Sequence, residues 1–443
     1  MVGGFLGGTC RGGEERPFGI TERALAQAYL GMPDRDTGEF PPKLSQTGAF
    51  ADTAKLIPVA GLLPYDLNVS FFSDGATKAR WMSVPTGGSG QETKIGFSPA
   101  GEWRFPNGTV FVKHFDLATN ELRPELRRRL ETRLLVRDAG GAVYGVTYKW
   151  RPDNSDADLL ATNLVEAITI RTASGVRTQF WNYPSRQDCR TCHTDLAGGV
   201  LGPKTRQINR DFQYPGGVTD NQLRTWNHLD LFDAHLGAET MTNYVRLAAA
   251  HDTTRSVEDR ARSYLDANCA HCHRPGGTVG YFDARYDTPL ARQNLVEGPV
   301  LIDQGIDKAR IISPNDLWRS IAYFRVNTLE PMKMPPLAHE QLDEAGRGLL
   351  KEWIQSLPGP RVLSPPGITA KSDSGGGSTE VVLSQDEPGA AIHYTTDGSA
   401  PGANDPVYRE PLHITGAAIV RARAYKAGFT RSIPVQQMVG TEK

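Results

Sequence analysis

Short runs of apolar residues, rich in β-branched and aromatic side chains, recur between residues 46 and 183. This composition is typical of β-strands. Strand-like runs lie at residues 95–97, 103–105, 109–115, 133–136, 143–150 and 167–170. Turn-forming sequences such as Pro106-Asn107-Gly108 separate these runs. We predict a β-rich domain, a sandwich or small barrel, over residues 46–183, preceded by a leader or extended segment at residues 1–45.

The apolar period becomes helical between residues 184 and 358. Ser256 can cap a helix that leads directly to residue 269, and a second helical pattern ends before Pro358-Gly359. The two apolar stripes are Val257, Ala261, Tyr264 and Leu265, and Leu342, Leu349, Leu350, Trp353 and Ile354. This spacing predicts a helical domain over residues 184–358.

Strand patterns return over residues 361–443. They cover residues 381–383, 391–395, 412–414 and 418–425, after the linker-like run Pro365-Pro366-Gly367. No helical period is present in this part, which favours a small antiparallel β-sandwich. The predicted fold class is multidomain α+β, with an N-terminal β-rich domain, a helical middle domain and a C-terminal antiparallel β-sandwich.

Composition excludes two classes of partner. The 443 residues carry a formal net charge of −1, so no general basic field for nucleic acid exists. No run of eighteen apolar residues occurs, so we expect no transmembrane segment. Residues 1–9 form a short, glycine-rich apolar piece that we interpret as a truncated leader. Cys10 is a candidate lipid anchor of a lipoprotein, with an ordinary free thiol as the alternative.

Four of the five cysteines lie in two C-x-x-C-H motifs, Cys189-Arg190-Thr191-Cys192-His193 and Cys269-Ala270-His271-Cys272-His273. This is the attachment pattern of c-type haem. Two thiols one helical turn apart can each bond one vinyl group of a porphyrin, and the following His can bind the iron. We predict two covalently attached haem c groups, with His193 and His273 as iron ligands, and therefore a helical dihaem cytochrome c domain at 184–358.

Other uses of these cysteines fit less well. Zinc sites with paired C-x-x-C motifs usually place the pairs close together, whereas these begin at residues 189 and 269. A thioredoxin-type pair would be single and set between a strand and a helix. Disulfides that close such short loops are strained.

Each iron needs a sixth ligand or an open position. For the second haem, Met334 in the run Met334-Pro335-Pro336 is the candidate, with Met332 as the fallback and a gap-filling Met as the structural alternative. For the first haem the choice stays open between Met241, one of the histidines His228, His235 and His251, and no protein ligand.

Three family resemblances follow from these residues. The order helix, C-x-x-C-H, Met-Pro-Pro, helix resembles class I cytochrome c, in which the Met sulfur is the distal ligand. The runs at residues 72–75, 105–109, 148–151, 183–189, 198–202 and 205–211 resemble a family of bacterial dihaem c-type cytochromes of undefined role. Residues 392–401, 407–408 and 420–425 are similar to the chitobiase C-terminal type of β-sandwich module. These resemblances imply an exported electron-transfer protein and a module that contacts glycans or serves assembly.

The expected function is one-electron transfer in the periplasm or outside the cell, by a secreted, metal-binding protein that carries iron as haem. Redox partner proteins are expected, and the protein is more an electron carrier than a catalyst. One alternative is a dihaem peroxidase or oxidase whose first haem is open. The other is a haem-bearing subunit of an extracellular polymer, assembled through its β-domains.

Overall fold

The computed structural model describes residues 16–87, 92–237, 241, 243–278, 281–372 and 377–440. Strands and bridges account for 29% of the described residues and helices for 15%. In the described residues the strands are β1 Phe50–Asp52, β2 Ile57–Pro58, β3 Leu63–Pro64, β4 Thr77–Ser83, β5 Val110–Ala118, β6 Arg127–Arg137, β7 Val143–Trp150, β8 Ala157–Leu159, β9 Leu164–Thr172, β10 Gly175–Tyr183, β11 Asp211–Gln213, β12 Thr219–Asn221, β13 Gly367–Ser372, β14 Thr379–Ser384, β15 Ala391–Thr395, β16 Leu412–Ile414, β17 Ala418–Tyr425 and β18 Val435–Val439. The α-helices are α1 Arg186–Cys192, α2 Thr205–Ile208, α3 Gln222–His228, α4 Val257–Asn268, α5 Ile321–Val326 and α6 Glu344–Ser356.

A six-stranded antiparallel sheet in the order β3-β4-β5-β6-β7-β8 is the largest element. One of its faces is apolar, because Val112, Leu134 and Val146 lie opposite one another and pack under residues from the 29–62 segment. Different segments of the chain pack on the other face along its length. Residues between Val200 and Leu236 pack on Phe111 at one end, and the β9-β10 hairpin packs on Phe115 at the other. Helix α1 packs against β7 between them.

The expectation of a helical cytochrome c domain at residues 184–358 is wrong, and with it that part of the predicted α+β fold class. The two predicted helices exist as α4 and α6, and the Ser256 hydroxyl caps α4 by accepting from the Asp259 N–H. Between Asn268 and Ile321, however, no α-helix is present in the described residues. Asn294, Glu297 and Gln304 have positive φ there, a conformation that a right-handed helix excludes. The protein is mostly β, with short helices.

The C-terminal residues form the predicted antiparallel sandwich. Strands β13, β14 and β16 make one sheet, and β15, β17 and β18 make the other. The core between them contains Val381, Leu383, Ile392 and Val420. The predicted runs at 391–395, 412–414 and 418–425 coincide with β15, β16 and β17.

The sandwich is fixed to the preceding part of the chain at Asp307. This carboxylate pairs with Arg319 on its own side, at 3.1 Å, and with two arginines of the sandwich, Arg423 at 3.3 Å and Arg431 at 3.1 Å. Ile433 packs beside it against the cluster of Ile306 and Ile321. The ion pairs of Asp307 and the apolar contact of Ile433 therefore hold the module against the preceding part of the chain.

Candidate functional site: the two C-x-x-C-H motifs

The first motif occupies helix α1 and the residue after it. Ser185 caps the helix by accepting a hydrogen bond from the Asp188 N–H, so that Cys189 and Cys192 lie one turn apart. The His193 N–H donates to the Cys189 carbonyl at 3.0 Å. The His193 Nδ1 lies 2.7 Å from the Gly199 carbonyl, which can only accept. Nδ1 must therefore carry the proton, and Nε2 keeps its lone pair for a ligand.

The second motif repeats this turn at the end of helix α4. The His273 N–H donates to the Cys269 carbonyl at 2.8 Å. The imidazole of His273 stacks on Phe282, with ring centroids 4.3 Å apart, and its buried Nδ1 has no hydrogen-bond partner. Both motifs thus hold two cysteines and one imidazole on a single turn, and they differ in what orients the imidazole.

Arg274 joins the two motifs in space. It follows His273 directly, and its guanidinium donates to the carbonyl of Leu196, three residues after His193, at 3.1 Å. The same guanidinium pairs with Glu102 at 3.0 Å. Motifs that lie far apart in the sequence are therefore neighbours in the fold. The sequence pattern identified each motif separately but carried no signal for this pairing.

Burial keeps the reactive side chains of both motifs neutral. Desolvation lowers the pKa of His193 and of His273 to about 4, so that each imidazole is unprotonated at neutral pH. Desolvation raises the pKa of the Cys192 thiol to about 11 and that of Cys269 to about 12. A neutral imidazole is the form that binds iron.

The described part of the chain contradicts the expectation of a metal-binding protein. No group of three or more His, Cys, Asp or Glu side chains is arranged there to hold a metal ion. An iron at His193 or His273 would consequently have to bring most of its ligands with it, as the four pyrrole nitrogens of a porphyrin do.

Met334 lies in a half-buried loop close to the second motif. Its N–H donates to the Arg325 carbonyl at 2.9 Å, and the charge of Arg325 acts on His273. Met332 is also half-buried. The structure thus brings the Met334 backbone toward the second motif, while its role as a ligand stays a prediction.

His339, in the same loop, was missed by the sequence analysis. It is only 1% exposed, and neither ring nitrogen has a partner with good hydrogen-bond geometry. Its ring lies edge-on to Phe72, with the ring centroids 6.0 Å apart. Burial lowers its pKa, and a weaker hydrogen-bond contribution from the Pro335 carbonyl opposes this effect. Leaving a buried polar group unpaired costs about 1–3 kcal/mol, so this imidazole is a second candidate ligand beside Met334. A lone His in a polar loop gives no sequence signal for such burial.

The candidates for the first haem separate by burial. Met241 is a core residue, packed in the apolar cluster with Trp226 and Phe232. His228 is exposed and stacks on Phe18, and His235 and His251 are exposed as well. His271, inside the second motif, is buried, and its pKa is lowered to about 4 by burial, with a smaller contribution from His193. It is a further candidate that the sequence analysis did not consider. Cys10 lies outside the described residues.

Comparison with known families covers one part of the chain. Residues 372–436 match the model of the chitobiase/beta-hexosaminidase C-terminal domain. This match agrees with the predicted sandwich and leaves the two motifs outside it. No curated protein matches the chain. Among the described residues, no helix has both the length and the apolar character that crossing a membrane requires.

Proposed function

We propose that this chain covalently attaches two haem c groups, at Cys189/Cys192 and at Cys269/Cys272, and passes single electrons between them. The observation that carries the proposal is the shared turn. In both motifs the His N–H bonds to the carbonyl of the first Cys, so that two thiols and one imidazole face one site. The Arg274 contact, which makes the two sites neighbours, supports electron transfer between them.

Covalent attachment of haem needs only two thiols and one neutral imidazole from each motif. Each thiol adds across one vinyl group, with its sulfur bonding one carbon and its hydrogen going to the other, so no oxidant is needed. His193 and His273 each present a neutral imidazole, and the Gly199 carbonyl fixes the tautomer at His193. A bound haem supplies the one-electron chemistry of iron, and the protein supplies ligands, orientation and exclusion of water.

Export is part of the proposal, because haem c is attached outside the cytoplasmic membrane. We place the mature protein in the periplasm or outside the cell, with redox proteins as its partners. For the C-terminal module we propose a role in contact with glycans or in assembly, in line with the family that it matches.

The test is expression with a bacterial haem c maturation system, followed by haem staining of a denaturing gel and intact mass. We expect two haems per chain. The double variant Cys189→Ala/Cys192→Ala and the double variant Cys269→Ala/Cys272→Ala should each keep one, and Cys10→Ser should keep both. A wild-type chain that carries no haem after denaturation would refute the proposal.

One observation favours the peroxidase or oxidase alternative. Three of the histidines considered for the first haem, His228, His235 and His251, lie exposed on the surface. If neither His271 nor Met241 binds that iron, its sixth position is open to peroxide. Two low-spin signals in the oxidised protein support the electron carrier, and a high-spin haem with rapid peroxide turnover supports the enzyme.

A further inference from the structure

A row of cations crosses the six-stranded sheet beside the first motif. In the strand register Arg80 of β4 lies opposite Lys113 of β5, and Lys113 lies opposite Arg133 of β6. Side chains at directly opposed positions point to the same face of a sheet. Like charges placed opposite one another are destabilising, so this row requires compensation.

Acidic partners compensate only two of the three cations. Arg80 pairs with Asp66 at 2.7 Å, and Arg133 pairs with Glu131 at 2.5 Å. Lys113 has no ion pair among the described residues, and its ammonium group lies over the rings of Phe71 and Phe115, at 5.8 and 5.1 Å.

Lys78, two residues before Arg80 and on the same face, is also without an ion pair among the described residues. It donates to the Phe71 carbonyl at 2.5 Å. Burial, with the neighbouring charges of Arg80 and Arg133, lowers the pKa of Lys78 to about 7. Burial also lowers the pKa of Lys113 well below its usual value. Glu131 acts on Lys113, and Asp74 and Asp343 act on Lys78, only at longer range. Two lysines on one face therefore have no close ion pair among the described residues.

The first motif covers this part of the sheet. Gly145 of β7 lies two positions before Thr147, the residue opposite Arg133. A Cβ on Gly145 would come within 2.8 Å of the Cys189 sulfur. The charges of Lys113 and Arg133 act on both Cys192 and His193. A group bonded to these thiols would therefore lie beside Lys113, and the charge of Lys78 in turn acts on Lys113.

We propose that Lys78 and Lys113 bind the propionate carboxylates of the haem attached at Cys189 and Cys192. The inference rests on the proposed function, since it needs that haem to be present. A haem carries two propionates, and two lysines on this face have no close ion pair among the described residues; a propionate beside them would favour their charged form. Charge-assisted hydrogen bonds of this kind are about twice as strong as neutral ones.

The experiment compares matured wild-type protein with Lys78→Met, Lys113→Met and Lys113→Arg. Lys371→Met, on an exposed position of β13, is the matched control. The measurements are haem content, the two midpoint potentials, and the propionate bands in resonance Raman spectra. Removal of a cation beside the propionates should lower one of the two potentials, because a nearby positive charge favours the reduced haem. It should also shift the propionate bands. Lys113→Arg should restore both properties, and Lys371→Met should change neither.

Each outcome decides between the proposals. A wild-type chain without haem refutes the proposed function itself. Two haems per chain, with potentials and Raman bands unchanged in Lys78→Met and Lys113→Met, overturn the lysine inference alone. An equal shift of both midpoint potentials also overturns it, because such a shift shows that the lysine charge acts on both haems from a distance and does not contact one propionate. If inorganic phosphate shifts the potential of the wild type and the Met variants abolish that shift, the lysines bind a free anion instead.

Discussion

At the scale of single residues, the loop that holds Met334 and His339 contains two candidate ligands for the second of the proposed haems. The Met334 N–H bonds to Arg325, a residue whose charge acts on His273, whereas His339 is fully buried and unpaired. The sequence could indicate Met334, because a Met before two prolines follows a C-x-x-C-H motif. It could not indicate His339, whose burial depends on Phe72 from a distant part of the chain.

Met334→Ala should abolish the sulfur-to-iron charge-transfer band of the matured protein and lower the potential of one haem, because the thioether favours reduced iron. Met332→Ala is the matched control and should leave both properties unchanged. The ligand is His339 if the wild type shows no such band, Met334→Ala leaves its spectrum unchanged, and His339→Ala converts a low-spin haem to high spin.

Asp74 ties this loop to the sheet domain and makes stability depend on pH. Its carboxylate accepts hydrogen bonds from the N–H groups of Glu340 and Gln341, at 2.7 and 3.0 Å. Burial, the largest effect, raises its pKa to about 6, above the 3.8 of an ordinary Asp. Between these values the folded state binds more protons than the unfolded state. Its contribution to stability is therefore complete below about pH 4 and is lost as the pH rises through 6.

Asp74→Asn should remove this component while keeping the shape and the two accepted hydrogen bonds, and Asn also tolerates the positive φ of residue 74. We expect the wild type to lose up to about 3 kcal/mol relative to the variant between pH 4 and pH 6. Urea unfolding at a series of pH values measures the difference. Parallel pH profiles for the two proteins would contradict the assignment.

At the scale of elements, the sequence predicted strand positions well where the strand-like run was long. The predicted run at 143–150 has the same bounds as strand β7, and the run at 109–115 begins one residue before strand β5 and otherwise lies inside it. The short runs at 95–97 and 103–105 are not strands and are joined by a bridge between Gly96 and Arg104. Three residues carry too little alternation to separate a strand from an extended loop.

The helical period misled over a longer range. Two helices, α4 and α6, follow their apolar stripes, but the segment between them is irregular. The helical assignment was extended across residues whose backbone is left-handed, such as Asn294 and Gln304. The sequence also could not predict that Lys113 lies opposite Arg133, because strand register depends on partners in space.

Helices α4 and α6 provide a test of packing beside the second motif. A Cβ on Gly346 would lie 2.4 Å from the ring of Tyr264 in α4, whereas a Cβ on Gly348 would meet nothing within 4 Å. Gly346→Ala should therefore destabilise the protein by roughly 1–3 kcal/mol through overpacking. Gly348→Ala, on the same helix, should stabilise it by about 0.5–1 kcal/mol.

Thermal and urea unfolding of the matured variants measure both effects. Because α4 leads into Cys269, Gly346→Ala should also broaden the spectrum of one haem. Equal stability of the two variants would show that Tyr264 moves aside without cost.

At the scale of the whole molecule, Asp307 joins the C-terminal module to the rest of the chain. Asp307→Ala would leave the buried Arg319 with Asp316 as its remaining partner and would release Arg423 and Arg431. We expect a loss of roughly 1–3 kcal/mol and faster proteolysis between residues 358 and 366. Asp303→Ala, a nearby loop change, is the control. Haem content should not change in either variant, and identical cleavage rates would show that the apolar patch alone holds the module.

The burial of the motif thiols has a consequence for the order of events during biogenesis. The thiolate is the nucleophilic form of cysteine, yet burial in the folded chain keeps Cys192 and Cys269 protonated. Gly145 also packs directly against the Cys189 sulfur. All four motif cysteines are only partly exposed in the folded chain. If the chain attaches haem as proposed, we expect bonding to be faster before folding is complete, and a variant that folds faster should yield less haem-bearing protein.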